Sequence, residues 1–356
     1  MVQNVLFFAP RLIYGGGEKV INWLATRLLE NGYNVFYATS CIDSDYQEKL
    51  QAVGLNGRVS VVEFPTIIKK SRPIKYFCQV SQVLKENNID LLVYFGGSLV
   101  EQLAARSSGV KVLLSERWSP KSRPFLSRIL KQIQFRFADA YVFQTPQAAK
   151  CYCKHAQKLG VVIPNPILES LPTPLTENFR KEIVTAGRLS WEKNQILLVK
   201  AFQNISKEFP QHKLIIYGSG PKEDELQTYI NENLLSDRIS IIKGKRNIVE
   251  LINGAELFVL PSDVEGMPNA LIEAMAMGVT SISTDCPVYG PRMLIEDKKN
   301  AFITPLNDVD ALTSAMRYVL SNPEEMSRIR AEAVKIRERL HADNISNLWI
   351  KYIKTL

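Results

Sequence analysis

Apolar residues along the chain fall into short runs separated by amphipathic stretches. Runs of strand character occupy 5–8, 35–38, 59–64, 91–94, 112–115, 140–143 and 161–163, and segments of helical period lie between them at 18–30, 74–86, 98–107, 125–137 and 146–158. Strand, helix, strand at this spacing predicts a mostly parallel sheet covered on both faces. The rhythm breaks where Pro164, Asn165, Pro166, Pro172 and Pro174 crowd together, because proline fixes φ, removes a donor and ends periodic structure. It resumes with strand runs at 183–186, 213–217, 239–242, 257–260 and 279–283, and from Val309 onward the pattern is helical, with boundaries near Pro323 and around 341–344. Two successive α/β units place a cleft between them, and the open ends of parallel strands are where such sheets bind ligands.

Composition agrees with two ordinary domains. The chain has 356 residues, 46% of them hydrophobic and 22% charged, enough for each half to bury a core of its own. The net charge of +8 is uneven: residues 1–165 carry 21 Lys and Arg against 11 Asp and Glu, the remainder 23 against 25. An anionic partner is therefore expected at the front half. Met1 leads directly into a strand-like run without a basic leader, so no signal peptide is expected, and no apolar run reaches the 18 or so residues that cross a bilayer. Cys41, Cys78, Cys151, Cys153 and Cys286 are odd in number and dispersed, which suits a reducing cytoplasm. Cys151, Cys153 and His155 lack a fourth ligand and match no closed zinc spacing.

Candidate chemistry sits at the strand-to-helix junctions. Gly15, Gly16 and Gly17 follow the first strand; they suit either a tight turn or close approach of an anion to helix-start amides. Their sequence is neither the dinucleotide fingerprint nor the Walker loop. Arg188 and Lys193 flank the loop after the first strand of the second unit. They read as a surface pair of cations or as partners for a diphosphate, the arginine with a planar fork and the lysine with a compact charge. Gly218 and Gly220 precede Pro221 in a junction that resembles the first turn of a helix, with amides expected to face the same ligand. Lys243, Gly244, Lys245 and Arg246 follow the next strand, bordering a nucleobase or forming a solvated turn.

The stretch from Ser262 to Asp285 carries the most information. A strand ends near Leu260, a polar loop holds Glu265, Gly266 and Pro268, and an apolar helix runs from about Asn269 to Gly278 with Glu273 one turn inside. Glu273 lies among Leu271, Ile272, Ala274 and Met275, where an unpaired carboxylate is costly, so it is expected to hold ribose hydroxyls. Glu265 is placed to accept from sugar hydroxyls, while the amides of Met267, Asn269 and Ala270 beside Pro268 face the donor. A glycosidase acid/base pair is the alternative for two such carboxylates, but it has no use for the cations nearby.

Taken together, these motifs resemble the retaining, nucleotide-sugar-dependent glycosyltransferases of family GT4, which have the GT-B fold. The resemblance rests on 15–18, on 187–195, on 217–221, on Glu265 and Glu273 around a Gly-Met-Pro-Asn-Ala core, and on the loop 284–292; it is strongest to bacterial enzymes that build O-antigen, capsule or exopolysaccharide. It implies an α/β fold of two Rossmann-like domains facing across a cleft: 1–165 for the acceptor, joined by a C-terminal helix at about 343–356, a linker at 166–182, and 183–342 for the donor. It further implies that Arg188 and Lys193 neutralise the donor diphosphate, that Glu273 binds ribose, that Glu265 addresses the transferred sugar, and that Gly16 and Gly17 approach the phosphate from the other domain. Gly218, Gly220, Lys243, Met267, Pro268, Asn269 and Ala270 complete the donor set. Two positions depart from the pattern: Arg117 stands where relatives carry a histidine on the acceptor side, and Ala301 where they carry glycine.

The same resemblance implies a front-face displacement in which the leaving phosphate takes the acceptor proton. The two cations stand in for magnesium, so neither cofactor nor metal is expected. Lys121, Arg123, Arg128, Lys131 and Arg136 alternate with apolar residues around 125–137, and Lys69, Lys70, Arg72 and Lys75 add a second basic patch. Such a helix either lies on an anionic bilayer or packs on the sheet with a solvated basic face. The membrane reading makes the enzyme peripheral on the cytoplasmic face and its acceptor a polyprenyl-diphosphate-linked glycan. A phosphorylase or epimerase on the same architecture is the alternative enzyme class. Nucleic-acid binding would need a recognition helix or an aromatic-basic groove, which the βα rhythm does not supply.

Overall fold

A computed structural model of the chain describes residues 2–8, 16–39, 44–64, 72–95, 99–117, 125–168, 171–244, 247–287 and 290–356. These fall into two compact units, Met1–Leu168 with Ala342–Leu356, and Glu169–His341.

The first unit runs β1 (Asn4–Phe8), α1 (Gly16–Glu30), β2 (Asn34–Thr39), α2 (Ser44–Ala52), β3 (Ser60–Glu63), α3 (Pro73–Glu86), β4 (Leu91–Tyr94), α4 (Leu99–Ser107), β5 (Lys111–Glu116), α5 (Phe125–Gln134), β6 (Ala140–Phe143), α6 (Pro146–Lys150), α7 (Lys154–Leu159) and β7 (Gly160–Val162). Its strands lie in the order β3-β2-β1-β4-β5-β6-β7, all pairs parallel. β4 and β6 are buried at every residue, which is why they read as continuous apolar runs rather than alternating ones. In α1 the buried Val20, Ile21, Leu24, Ala25 and Leu28 make one stripe at helical spacing.

The second unit continues with β8 (Arg180–Ala186), α8 (Gln195–Ile205), β9 (Lys213–Tyr217), α9 (Glu223–Glu232), β10 (Ile239–Ile242), α10 (Ile248–Ile252), β11 (Ala255–Leu260), α11 (Asn269–Ala276), β12 (Thr280–Thr284), β13 (Phe302–Thr304), α12 (Val309–Ser321), α13 (Pro323–Val334) and α14 (Ile336–Arg339). The strand order is β10-β9-β8-β11-β12-β13, again parallel throughout. The last helix, α15 (Ala342–Lys354), returns to the first unit. Its Trp349 is fully buried, Asp343 pairs with Arg27 at 2.9 Å, and the Tyr352 hydroxyl accepts from the Tyr141 amide at 3.0 Å. Both sheets are thus of Rossmann type.

Three local expectations need correction. The helix anticipated over 146–158 is two, because the chain leaves helical geometry so that Tyr152 can turn inward, stack on Phe135 at 3.8 Å between ring centroids and donate to Glu116 at 2.5 Å. Pro221 does not open α9; the helix starts two residues later at Glu223, and the Lys222 amide at its cap donates to the Leu189 carbonyl at 3.0 Å. The helix after β5 ends at Gln134 rather than at Phe137.

Candidate active site

In the second unit the strand order reverses at β8, which has β9 on one side and β11 on the other. The loops leaving the carboxyl ends of β8 and β11 are therefore neighbours, and ligands of such sheets bind where the order reverses. Backbone bonds stitch the two loops together: the Glu192 carbonyl accepts from the amides of Asp263 at 2.9 Å and Val264 at 3.3 Å. Asn194 adopts the left-handed conformation, φ 45°, which asparagine tolerates better than most residues. Its amide nitrogen reaches Asp263 at 2.9 Å and Asn307 at 2.8 Å. Burial raises the Asp263 carboxyl above its ordinary range, and the Asn194 bond offsets part of that.

This stitching brings Lys193 and Glu265 into contact, ammonium to Oε1 at 2.5 Å. The Ser262 hydroxyl donates to the same oxygen at 2.7 Å. The two residues expected to serve different parts of a donor are thus paired with each other, and Ser262, which the motif reading left without a role, holds the carboxylate. Arg188 differs: it is exposed, and its charge meets no carboxylate among the described residues, while its carbonyl is fixed by Gln195 at 3.0 Å. An exposed guanidinium without a carboxylate partner among the described residues, on the loop that also carries Lys193, suits an anion.

The glycines around these loops serve close packing of backbone. A Cβ on Gly218 would lie 1.9 Å from the Gly187 carbonyl oxygen, and one on Gly220 2.3 Å from that of Leu189. The Gly218 amide donates to Ile242 at 3.0 Å, so the expectation that it faces a ligand is corrected: the strand-end ladder already uses it. Behind the Glu265 loop, the Cys286 thiol donates to the Ser262 carbonyl at 3.0 Å, as does the Thr284 hydroxyl. Burial pushes that thiol up to about 12. Cys78 is exposed, so a thiol reagent at about pH 8 should label Cys78 rapidly and Cys286 only after unfolding, the thiolate being the reactive form. Rapid labelling of Cys286 in the folded protein would contradict this placement.

Helix α11 starts after Pro268 without a side-chain cap. Met267 and Pro268 are buried, Asn269 and Ala270 partly so. Glu273 is itself only half-buried although Leu271, Ile272, Ala274 and Met275 around it are buried, so burial alone does not demand a ligand for it. Lys243 is exposed and pairs with Glu223 in the first turn of α9, which raises its pKa; Lys245 and Arg246 lie outside the described residues. Ala301 lies outside the left-handed region, so it does not need the glycine expected there.

In the first unit, Gly16 and Gly17 open α1 after β1, where that sheet reverses its order; Gly15 lies outside the described residues. A Cβ on Gly17 would meet nothing within 4 Å, so no packing among the described residues demands glycine at that position. Arg117 sits in a cage. Its guanidinium carbon stands 4.5 Å from the Phe95 ring centroid and 5.5 Å from that of Trp349. Nε donates to Ser115 at 2.9 Å and Nη1 to Asn165 at 2.5 Å, and Nη2 is buried without an acceptor. Burial pushes the guanidinium down to about 9. Arg117 therefore fastens β5 to the residues after β7 and to α15, which corrects the expectation that it presents its charge to an acceptor. Among the described residues, no group of three or more His, Cys, Asp or Glu is arranged to hold a metal, and no helix is long and apolar enough to cross a membrane.

Comparison with known proteins fits this geometry. Residues 170–336 match the family "Glycosyl transferases group 1". An uncharacterized glycosyltransferase of Haemophilus influenzae is 26% identical over 87% of this chain and 88% of its own. The GalNAc-alpha-(1->4)-GalNAc-alpha-(1->3)-diNAcBac-PP-undecaprenol alpha-1,4-N-acetyl-D-galactosaminyltransferase of Campylobacter jejuni is 24% identical over 99% of this chain and 98% of its own. Among solved structures, HepE of Anabaena in complex with UDP aligns over the whole of both chains with a TM-score of 0.82 at 18% identity, a likeness of fold. The chain is a glycosyltransferase of GT-B fold whose residues 170–336 match the group 1 family.

Proposed function

We propose that the protein moves a sugar, with retention of anomeric configuration, from a nucleotide-sugar to a lipid-linked glycan in the assembly of a bacterial surface polysaccharide. The observation that carries this reading is the Lys193–Glu265 pair at the carboxyl ends of β8 and β11, with the exposed Arg188 on the same loop as Lys193. Arg188 and Lys193 stabilise the negative charge that grows on the leaving diphosphate, the usual work of preorganised charge. Glu265 accepts from hydroxyls of the transferred sugar and Glu273 from the ribose. UDP as the donor nucleotide has support in HepE, which was solved with UDP bound. A polyprenyl-diphosphate acceptor has support in the Campylobacter relative, a transferase named for a PP-undecaprenol-linked glycan.

A place at the cytoplasmic face of the membrane has support in α5. Ile129, Leu130 and Ile133 are 43%, 65% and 40% exposed, and Arg128 and Arg136 are exposed beside them, a basic apolar surface of the type that settles on anionic bilayers. Arg72, Lys75 and the exposed Ile74 add to it, while Lys69, Lys70, Lys121 and Arg123 lie outside the described residues. The test is a panel of UDP-, GDP- and ADP-sugars offered with membrane extract, with the lipid-soluble product identified by mass. A new glycolipid with one donor is the expected result; no product with any donor, together with no nucleotide binding, would sink the reading.

A further inference from the structure

In the free protein the cation assigned to the diphosphate is already held by a carboxylate. We infer that Ser262 is a positioning residue that allows Glu265 to release Lys193 to the donor diphosphate, an inference that rests on the nucleotide-sugar reading above. Two donors converge on the Oε1 atom of Glu265, Lys193 at 2.5 Å and Ser262 at 2.7 Å. Glu265 is 8% exposed, so losing the cation it holds with nothing in exchange would leave a buried, uncompensated carboxylate. Ser262 prevents that. It is buried, and its carbonyl is gripped by Cys286 at 3.0 Å and by Thr284, so its hydroxyl stays in place when the lysine leaves.

Lys193 is built to move. Its side chain is 25% exposed, and the residue that follows it is pinned by Asp263 and Asn307, so the backbone holds while the four-carbon stem swings. The exchange is then ion pair for ion pair: the diphosphate gains the ammonium, and Glu265 keeps the Ser262 hydroxyl while its vacated lone pair accepts a hydroxyl of the sugar. The site is closed to stray cations until a diphosphate arrives, and the sugar-reading carboxylate is released by the same event. A nucleoside monophosphate lacks the group that draws the lysine away.

The consequences have opposite signs in two variants. Glu265→Gln frees Lys193 beforehand and should bind UDP about tenfold more tightly than the natural protein, although it transfers sugar poorly. Ser262→Ala leaves Glu265 dependent on Lys193 and should bind UDP about tenfold more weakly. UMP affinity should stay the same in both. Calorimetric titration of the full chain with UDP, UMP and inorganic pyrophosphate reads all of these, with unfolding temperatures as the check on folding. Should Glu265→Gln fail to fold, Ser262→Ala decides alone through its UDP-to-UMP ratio. UDP and UMP affinities that rise or fall together, or a UDP affinity that does not change, overturn the exchange. Absence of UDP and pyrophosphate binding in the natural protein would instead overturn the nucleotide-sugar reading itself.

Discussion

Arg188→Ala is expected to slow sugar transfer by about 10²–10³-fold while leaving thermal unfolding unchanged to within about 0.5 kcal/mol. The separation follows from its surroundings. The guanidinium is exposed and meets no carboxylate among the described residues, so no ion pair of theirs is lost with it, whereas a departing diphosphate loses a partner. Its carbonyl bond from Gln195 uses the backbone and survives the change. Steady-state transfer rates beside a melting curve make the measurement. Equal loss of rate and stability would assign Arg188 to the fold instead of to the reaction.

Gly290→Ala should do both kinds of damage. A Cβ there would lie 1.5 Å from the Gly266 carbonyl oxygen and 2.7 Å from its carbon, and neither atom can yield without moving the backbone between Glu265 and Met267. Overpacking of this kind costs about 3 kcal/mol or more, roughly 10 °C in Tm for a domain of this size. The displaced Glu265 loop should take the transfer rate down with it. A Gly290→Ala protein that melts and reacts normally would mean that the two loops do not meet as described.

Strands buried on both sides were the legible part of the fold. Leu91–Tyr94, Ala140–Phe143 and Lys213–Tyr217 lie where the apolar runs place them, because a run of β-formers between turn signals has few other uses. The missed elements are those with little apolar content or length. Ser44–Ala52 is a polar helix with Tyr46 and Leu50 as its buried contacts, Ile248–Ile252 has five residues, and Phe302–Thr304 has three. Helix period also hid the break at Cys151–Cys153, since the inward turn of Tyr152 answers to Phe135 and Glu116 rather than to its sequence neighbours.

For the candidate site, the types of residue were legible and their pairings were not. Lys193 and Glu265 are 72 positions apart, and their contact follows from β8 lying next to β11, which no local pattern states. Arg117 misled for a related reason: its cage takes Phe95 from one strand end and Trp349 from the far end of the chain. Gly218 and Gly220 announced a tight junction, yet only the opposing carbonyls of Gly187 and Leu189 tell whether the space belongs to a ligand or to the protein.

The helix α15 that returns to the first unit sets an order for synthesis. Residues 2–168 are made before the second unit, but Trp349, Tyr352 and Asp343, which pack on or bond to Phe95, Tyr141 and Arg27, are made after it. Folding from the N-terminus onward therefore cannot close the first-made unit until the second-made one has been produced. The half of the protein that starts folding earliest is the last to be sealed, and during that interval the surface that Trp349 covers stays open to solvent.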